Sequence, residues 1–309
     1  MNLKSHLIPL LGVSIIFVLF GTSCDLVDQD QYKQNYIVEG YLIEGRNLPD
    51  IRVSTDVRAT EAYNFEDVAV AGAQVNLHLL DDSGAIHETY SYGMTSRGIY
   101  SPENKLKVEG GKTYRLRIVL PGDNNHLITS ESTVPTGFEV IEVLNDSLAY
   151  KGPVMASALC SKSYYPNRQT YYMLTLINSS ADSTLLTPLY ADLMENYGDD
   201  MELAELSIMS SGILSEASMV AYGDGELKID LPWSAVAFYG YTQVAFSTLD
   251  DNMYDFVTSQ SVQLSGSNVS PGEIYNLRYN IEGANGIFGS YAADTTTVYV
   301  YPLEEGLGS

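Results

Sequence analysis

The sequence predicts an all-β protein built from two β-sandwich domains, with a short helical insert in the second domain. Two observations lead to this fold class. Apolar and polar residues alternate with a period of two along many short segments, and Gly, Pro, Asn and Asp residues separate these segments. Short strands at this spacing are typical of antiparallel sandwiches.

We expect the first domain to extend over residues 36–135. Its predicted strands include YIVEGYLIEG, IRVSTDVRAT, QVNLHLLDDSG and KTYRLRIVLPG. In QVNLHLLDDSG, Val75, Leu77 and Leu79 alternate with polar residues, so they are expected to face the core. His78 belongs to the polar set, and we expect its side chain to face solvent.

The second domain is predicted over residues 136–302, and residues 303–309 are expected to form an unstructured tail. Its predicted strands are FEVIEVLND, QTYYMLTLINSS, GELKIDLP, QVAFSTLD, YDFVTSQSVQL and TTTVYVYP. Between them, residues 189–217 place Leu and Met near helical spacing, which predicts an insert with one or two short helices.

Residues 1–23 have the features of a signal segment that ends at a cysteine. Lys4 precedes an apolar run, and Gly21-Thr22-Ser23 leads directly to Cys24. This arrangement resembles a bacterial lipoprotein signal, in which the cysteine thiol takes a diacylglycerol and the mature N-terminus takes an acyl chain such as palmitate. Acyl chains contribute about 0.8 kcal/mol per buried methylene, so two or three of them anchor a protein stably.

Residues 24–35 are then expected to form an acidic tether. Acidic residues after the lipidated cysteine resemble the surface-export signal of Bacteroidota lipoproteins. We therefore expect an outer-membrane protein that is exposed at the cell surface, and a periplasm-facing position remains an alternative.

The composition argues against several classes of function. A net charge of −23 at pH 7 disfavours binding to nucleic acid, which needs cationic patches. With Cys24 lipidated, Cys160 has no partner for a disulfide and is expected to be a buried structural residue. The four histidines form no H-E-x-x-H pair, and no G-x-S-x-G elbow occurs, so we expect no enzymatic activity and no resident cofactor.

Acidic clusters are the remaining candidates for a metal site, because calcium binds carboxylate and amide oxygens. The first cluster consists of Asp250, Asp251, Asn252 and Asp255, and the second of Asp199, Asp200 and Glu202. Neither has the spacing of an EF-hand, and a solvated loop is the main alternative for both.

Two stretches carry a resemblance to a known family. YIVEGYLIEGRN, VAGAQVNLHLLDDSG and GGKTYRLRIVLPG are similar to the first half of a Bacteroidota lipoprotein family catalogued as domain of unknown function 4249. The segment YNIEGANGIFGSY resembles its closing signature, whose matching positions are Asn280, Ile281, Gly283, Gly286, Ile287, Phe288 and Gly289. We expect the glycines to permit positive φ or close backbone approach, and Ile287 and Phe288 to anchor the segment in the core.

Membership of this family would imply an outer-membrane lipoprotein that is often encoded beside a TonB-dependent transporter, and it brings no catalytic residues. The first domain also resembles prealbumin-like and immunoglobulin-like sandwiches. Three Asp-Ser/Thr tripeptides resemble the O-glycosylation signal of the same phylum, with acceptors at Ser147, Ser183 and Thr295.

We therefore expect a non-enzymatic, lipid-anchored accessory protein that captures nutrients beside a TonB-dependent β-barrel transporter. A fimbrial or adhesin subunit, activated by cleavage at Arg46, is the alternative, and a glycan or peptide hydrolase has less support. The chain contains 24 Tyr against 8 Phe. Tyrosine suits half-exposed sheet faces, and its rings can also stack on sugars or peptides.

Overall fold

The computed structural model describes residues 32–58, 60–122, 126–179, 181–197, 202–223, 225–265 and 277–303. The chain divides into two compact units, residues 1–34 with 57–62 and residues 35–56 with 63–309. In the described part of the first unit, the Arg58 guanidinium carbon lies 5.7 Å from the centroid of the Tyr32 ring. All the strands and helices below belong to the second unit.

The described residues form seventeen strands. They are Tyr36–Ile43 (β1), Ile51–Thr55 (β2), Gln74–Leu80 (β3), Ile86–Ser96 (β4), Ile99–Pro102 (β5), Thr113–Val119 (β6), Leu127–Thr133 (β7), Val140–Asn145 (β8), Ser147–Ala149 (β9), Ala156–Cys160 (β10), Tyr171–Ile177 (β11), Ile208–Ser210 (β12), Leu214–Ser215 (β13), Val220–Tyr222 (β14), Glu226–Leu231 (β15), Gly240–Leu249 (β16) and Asn285–Tyr301 (β17). The α-helices are Phe65–Val68 (α1), Pro188–Tyr197 (α2) and Asp251–Ser265 (α3).

These strands form a large sheet and a small one. The large sheet has the order β12-β11-β16-β17-β1-β2-β5-β4-β3-β6-β7, with β13 paired to β11 and β9 paired to β17. The small sheet has the order β14-β15-β10-β8. The predicted all-β sandwich with a short helical insert is confirmed, and the insert contains most of α2, one single-turn 3-10 helix and most of a second one.

The long strand β17 connects the two ends of the chain. Its first half pairs in parallel with β1, from Ile37 opposite Asn285 to Ile43 opposite Tyr291. Its second half pairs antiparallel with β16, from Leu249 opposite Tyr291 to Gly240 opposite Val300. Strand β17 therefore contributes side chains to both of the hydrophobic cores that are described next.

The first core is formed by side chains of β1 to β7 and by Phe288 of β17. The second core lies where β10 and β15 of the small sheet face β11, β16 and β17, and it includes Leu174, Phe246 and Val298. The alternation predicted for QVNLHLLDDSG is confirmed for its apolar residues, since Val75, Leu77 and Leu79 are all buried. Whether residues 36–135 and 136–302 fold as separate domains stays a prediction.

One predicted strand is wrong: YDFVTSQSVQL forms helix α3. The side chain of Asp250 caps this helix, because its Oδ1 accepts the Met253 backbone N–H at 2.7 Å. Met253, Phe256 and Val257 recur at the i, i+3, i+4 spacing that gives a helix one apolar face. These two signals outweigh the strand preference of the Thr and Val residues in the segment.

The expectation for His78 is also wrong, because only 8% of this residue is exposed. Its strand lies between β4 and β6, where Thr89 and Arg115 pair with it on either side. The ring Nδ1 lies 2.9 Å from Thr89 Oγ1. Burial, followed by the charges of Arg117 and Arg115, lowers the pKa of His78.

Among the described helices, none combines the length and the apolar character needed to span a membrane.

Candidate ligand-binding pocket

The outward face of β11, β16 and β17 has an apolar depression at its centre. Alternate residues of these strands, such as Leu174 and Phe246, point into the second core. Their neighbours lie on the opposite face in cross-strand rows. Met173, Ser247 and Ala293 form one such row, because Ser247 pairs with both of the others.

This depression is a pocket with a volume of about 690 Å³. Its lining comes from β1, the turn that follows it, β11, α3, β16 and β17. The lining residues are Tyr41, Ile43, Arg46, Pro49, Asp50, Met173, Thr175, Ile177, Ala245, Ser247, Leu249, Met253, Tyr291, Ala293, Asp294 and Thr295.

The residue sizes along the rows explain why a cavity forms here. Ala245, Ser247 and Ala293 are small and lie at adjacent positions of β16 and β17. Larger side chains, including Tyr41 and Tyr291, line the surrounding wall. A floor of small residues beside large ones leaves a space that an apolar ligand could fill.

The charged residues that line this pocket face different ways. Asp294 pairs with Phe246, and its carboxylate points away from the pocket, where Oδ1 accepts the Thr295 backbone N–H at 2.8 Å and Oδ2 accepts that of Val140 in the small sheet at 2.9 Å. Arg46 is exposed in the turn after β1. Tyr41 and Tyr291 are neutral phenols at neutral pH and can donate hydrogen bonds, and burial raises the pKa of both further.

A second, polar cleft of about 440 Å³ lies beside β6, β7 and the segment before β17. Its lining residues are Arg115, Thr129, Ser130, Glu131, Asn252, Asn280 and Glu282. The Arg115 guanidinium is paired with Glu131, with 2.6 Å between Nε and Oε1. Thr129 Oγ1 donates to Glu282 Oε2 at 3.2 Å. These side chains bind one another, so the cleft has few groups left for a ligand.

The calcium candidates at the start of α3 are engaged with separate protein partners. Asp250 is fully buried, and its Oδ2 accepts from Ser132 Oγ at 2.7 Å. Asp251 is bound by the Arg168 guanidinium, and Asp255 by Arg278 at 3.0 Å.

Asn252 donates its amide to the backbone oxygens of Glu131 and Phe288. Asp199 and Asp200 lie outside the described residues, whereas Glu202 lies within them. Within the described ranges, no three His, Cys, Asp or Glu side chains form a group that could hold a metal ion.

The closing signature joins the edge strand β7 to β17. The Asn280 amide nitrogen donates to Ser130 Oγ at 2.8 Å and to the Phe288 carbonyl at 2.6 Å. Its amide oxygen accepts the Phe288 backbone N–H at 3.1 Å. The side chain thus pairs with Phe288 as a neighbouring strand would, and Ile281 and Phe288 are buried in the first core.

Each signature glycine has a neighbour close to the place a side chain would take. Gly283 and Gly286 have φ values of +83° and +116°. A Cβ on Gly283 would overlap the Leu127 carbonyl, and one on Gly286 would overlap the backbone of Val38. A Cβ on Gly289 would meet the flexible Met253 side chain. Gly283 and Gly286 are therefore needed because another backbone approaches them closely.

The remaining sequence predictions fall in different environments. Cys24 lies outside the described residues. Cys160 is buried as expected, and burial raises the pKa of its thiol to about 12, so it stays protonated. Ser183 and Thr295 are exposed and Ser147 is half-buried, and glycosylation of all three stays a prediction.

The sequence analysis missed the pocket. The signal that indicates it is a strand with apolar residues on both faces: β11 buries Tyr172 and Leu174 in the core and carries Met173 and Ile177 on the other face. An antiparallel strand with one solvated face would show polar residues there.

Fold and site together define an all-β sandwich protein with an apolar pocket on its large sheet. The chain belongs to the family described as Domain of unknown function (DUF4249), whose model matches residues 24–297. No curated protein is a significant match.

Solved structures give distant likenesses. Trypsin-activated alpha-2-macroglobulin from Escherichia coli is 9% identical, with a TM-score of 0.23, and the match covers 87% of this chain and 16% of that chain. A tetra-tandem repeat of a large adhesion protein is also 9% identical, with a TM-score of 0.21 and coverage of 86% and 49%. The chain therefore spans about a sixth of the first of these proteins and about half of the second.

Proposed function

We propose that this protein is a non-enzymatic binding protein, anchored to the outer membrane by lipid on Cys24, that captures a small and largely apolar ligand beside a TonB-dependent transporter. The observation that carries the proposal is the pocket of about 690 Å³ on the large sheet. Small-molecule sites typically have volumes of about 300–1,000 Å³, apolar walls and a few polar groups that orient the ligand.

The pocket offers both kinds of contact. Tyr41, Tyr291 and Leu249 supply apolar surface, and Arg46 and Asp50 supply charges at one side. All sixteen lining residues are described, and none of them is His, Cys or Lys, so Asp50 and Ser247 have no partner there for a Ser-His or Cys-His type of catalytic pair. This composition favours binding and release of a ligand over its chemical conversion.

A bulky side chain inside the pocket should weaken the binding of an apolar probe. We expect N-phenyl-1-naphthylamine to bind the wild-type protein with increased fluorescence, and Ala293→Phe to weaken that binding by about tenfold or more, because the new ring takes the ligand's space. Fluorescence titration measures the change. Thr297→Phe is the matched control, since Thr297 lies on the same strand and face but does not line the pocket.

Equal probe affinity in the wild type and both variants would contradict this site, as would a wild type that does not bind the probe. Circular dichroism of both variants checks that they are folded. The two substitutions add the same ring four residues apart, so a loss confined to Ala293→Phe is assigned to the pocket.

The anchor and the transporter are tested together in membranes. We expect the wild-type protein, extracted in mild detergent, to copurify with a large β-barrel. The Cys24→Ser variant should remain an unprocessed precursor, because a serine hydroxyl cannot replace the thiol as the lipid acceptor. Wild-type protein recovered alone, or a Cys24→Ser variant that matures normally, would contradict the proposed assembly.

A further inference from the structure

The outward face that holds the pocket continues along β16 and β17 to three exposed tyrosines. Tyr241, Tyr299 and Tyr301 are 74%, 43% and 42% exposed. The ring centroids of Tyr241 and Tyr299 are 4.8 Å apart, and those of Tyr299 and Tyr301 are 6.4 Å apart with an interplanar angle of 20°. The three rings form one surface, which we call the tyrosine platform.

The strand register shows which side chains share this face. Tyr241 pairs with Tyr299, which in turn pairs with Ser147 of β9. In the next row towards the pocket, Gln243 pairs with Thr297. Directly paired residues lie on the same side of a sheet, so hydroxyl and amide groups border the rings.

The rows of β16 and β17 on this face carry no charged side chain. Alternate residues of β16 from Tyr241 to Leu249, and of β17 from Tyr291 to Tyr301, are all described and none is Asp, Glu, Lys or Arg. Such a neutral area is unusual on a chain with a net charge of −23. A neutral partner is favoured here, because the acidic protein repels anionic ligands and the face offers cations no partner.

We propose that the tyrosine platform binds a neutral oligosaccharide. The face of an aromatic ring is negative, and the C–H groups on the flat side of a pyranose are weakly positive, so the two stack. The sugar hydroxyls can donate to and accept from Gln243 and Thr297. Protein interfaces are enriched in Trp, Phe, Met and Arg as well as Tyr, and these described rows of β16 and β17 contain none of those four residue types.

The tyrosine platform is a different site from the pocket. The tyrosines do not line the pocket, and the proposal does not depend on the apolar probe binding there. It adds a second class of ligand on the same sheet, and the oligosaccharide chain would lie along β17.

Affinity electrophoresis in gels containing pullulan, laminarin, xyloglucan or galactomannan tests the platform. At least one of these neutral polysaccharides should retard the full-length protein. Tyr241→Ala and Tyr299→Ala should weaken this retardation about tenfold, whereas Tyr241→Phe should retain it because the ring is kept. Tyr222→Ala is the matched control, because Tyr222 is a tyrosine of similar exposure, 48%, on strand β14 of the small sheet.

Two results would overturn the proposal. One is no retardation in any of the four gels. The other is equal retardation of the wild type, the two platform variants and the control. The exposed positions make unfolding of the variants improbable on physical grounds, and their thermal unfolding midpoints verify it.

Discussion

Gly286→Ala is expected to destabilise the protein by about 3–5 kcal/mol, a large part of the stability of an ordinary domain. Gly286 has a φ of +116° and pairs directly with Val38 between the parallel strands β17 and β1. A Cβ there would overlap the Val38 backbone, which cannot move without separating the strands. Urea unfolding followed by circular dichroism measures the loss, together with the soluble yield.

Gly45→Ala separates the two causes of this effect. Gly45 also has a positive φ, +70°, but nothing lies within 4 Å of the place its Cβ would occupy. We expect this variant to lose about 1–2 kcal/mol from backbone strain alone. If the Gly45 and Gly286 variants lost the same free energy, close approach of β1 and β17 would not be the reason for Gly286.

Asp250 is expected to make the stability of the protein depend on pH. Burial raises its pKa from 3.8 to about 6, although hydrogen bonds from Ser132 and Met253 act in the opposite direction. The folded state therefore binds a proton between pH 4 and 6 that the unfolded chain does not bind. The contribution of this residue to the free energy of unfolding thus falls as pH rises through that window, by on the order of 3 kcal/mol.

Asp250→Asn removes this ionisation while keeping a residue that caps helices well. The difference in unfolding free energy between Asp250→Asn and the wild type should shift in favour of the variant as pH rises from 4 to 7. Urea unfolding at each pH gives the two curves. Asp192→Asn, at an exposed position of α2, should show no such shift, and parallel curves for Asp250→Asn and the wild type would contradict the effect.

Strands such as β3 and β6 were predictable from the sequence because each of them carries its own alternating pattern. Leu116 and Ile118 of β6 alternate with Arg115 and Arg117, and this local rule holds whatever the strand pairs with. Helix α3 was missed because its composition favours a strand. Its N-cap is evident only from the hydrogen bond that the Met253 backbone N–H donates to the Asp250 side chain.

The pocket and the platform could not be predicted in the same way. The pocket floor needs Ser247 of β16 beside Ala293 of β17, and the platform needs Tyr241 beside Tyr299. Both depend on a pairing register between segments far apart in the chain, which no local pattern specifies. The closing signature was recognisable as a motif, but the pairing of Asn280 with Phe288 follows only from the structure.

The parallel pairing of β1 with β17 has a consequence for biogenesis. Of the described strands, β1 is synthesised first and β17 last, so the large sheet remains incomplete until β17 has been translated. Pairing over such a distance in sequence is slow, because loop closure must precede the contacts that stabilise it. The pairing of β1 with β17 is therefore expected to be a late step of folding, completed only after β17 has been synthesised.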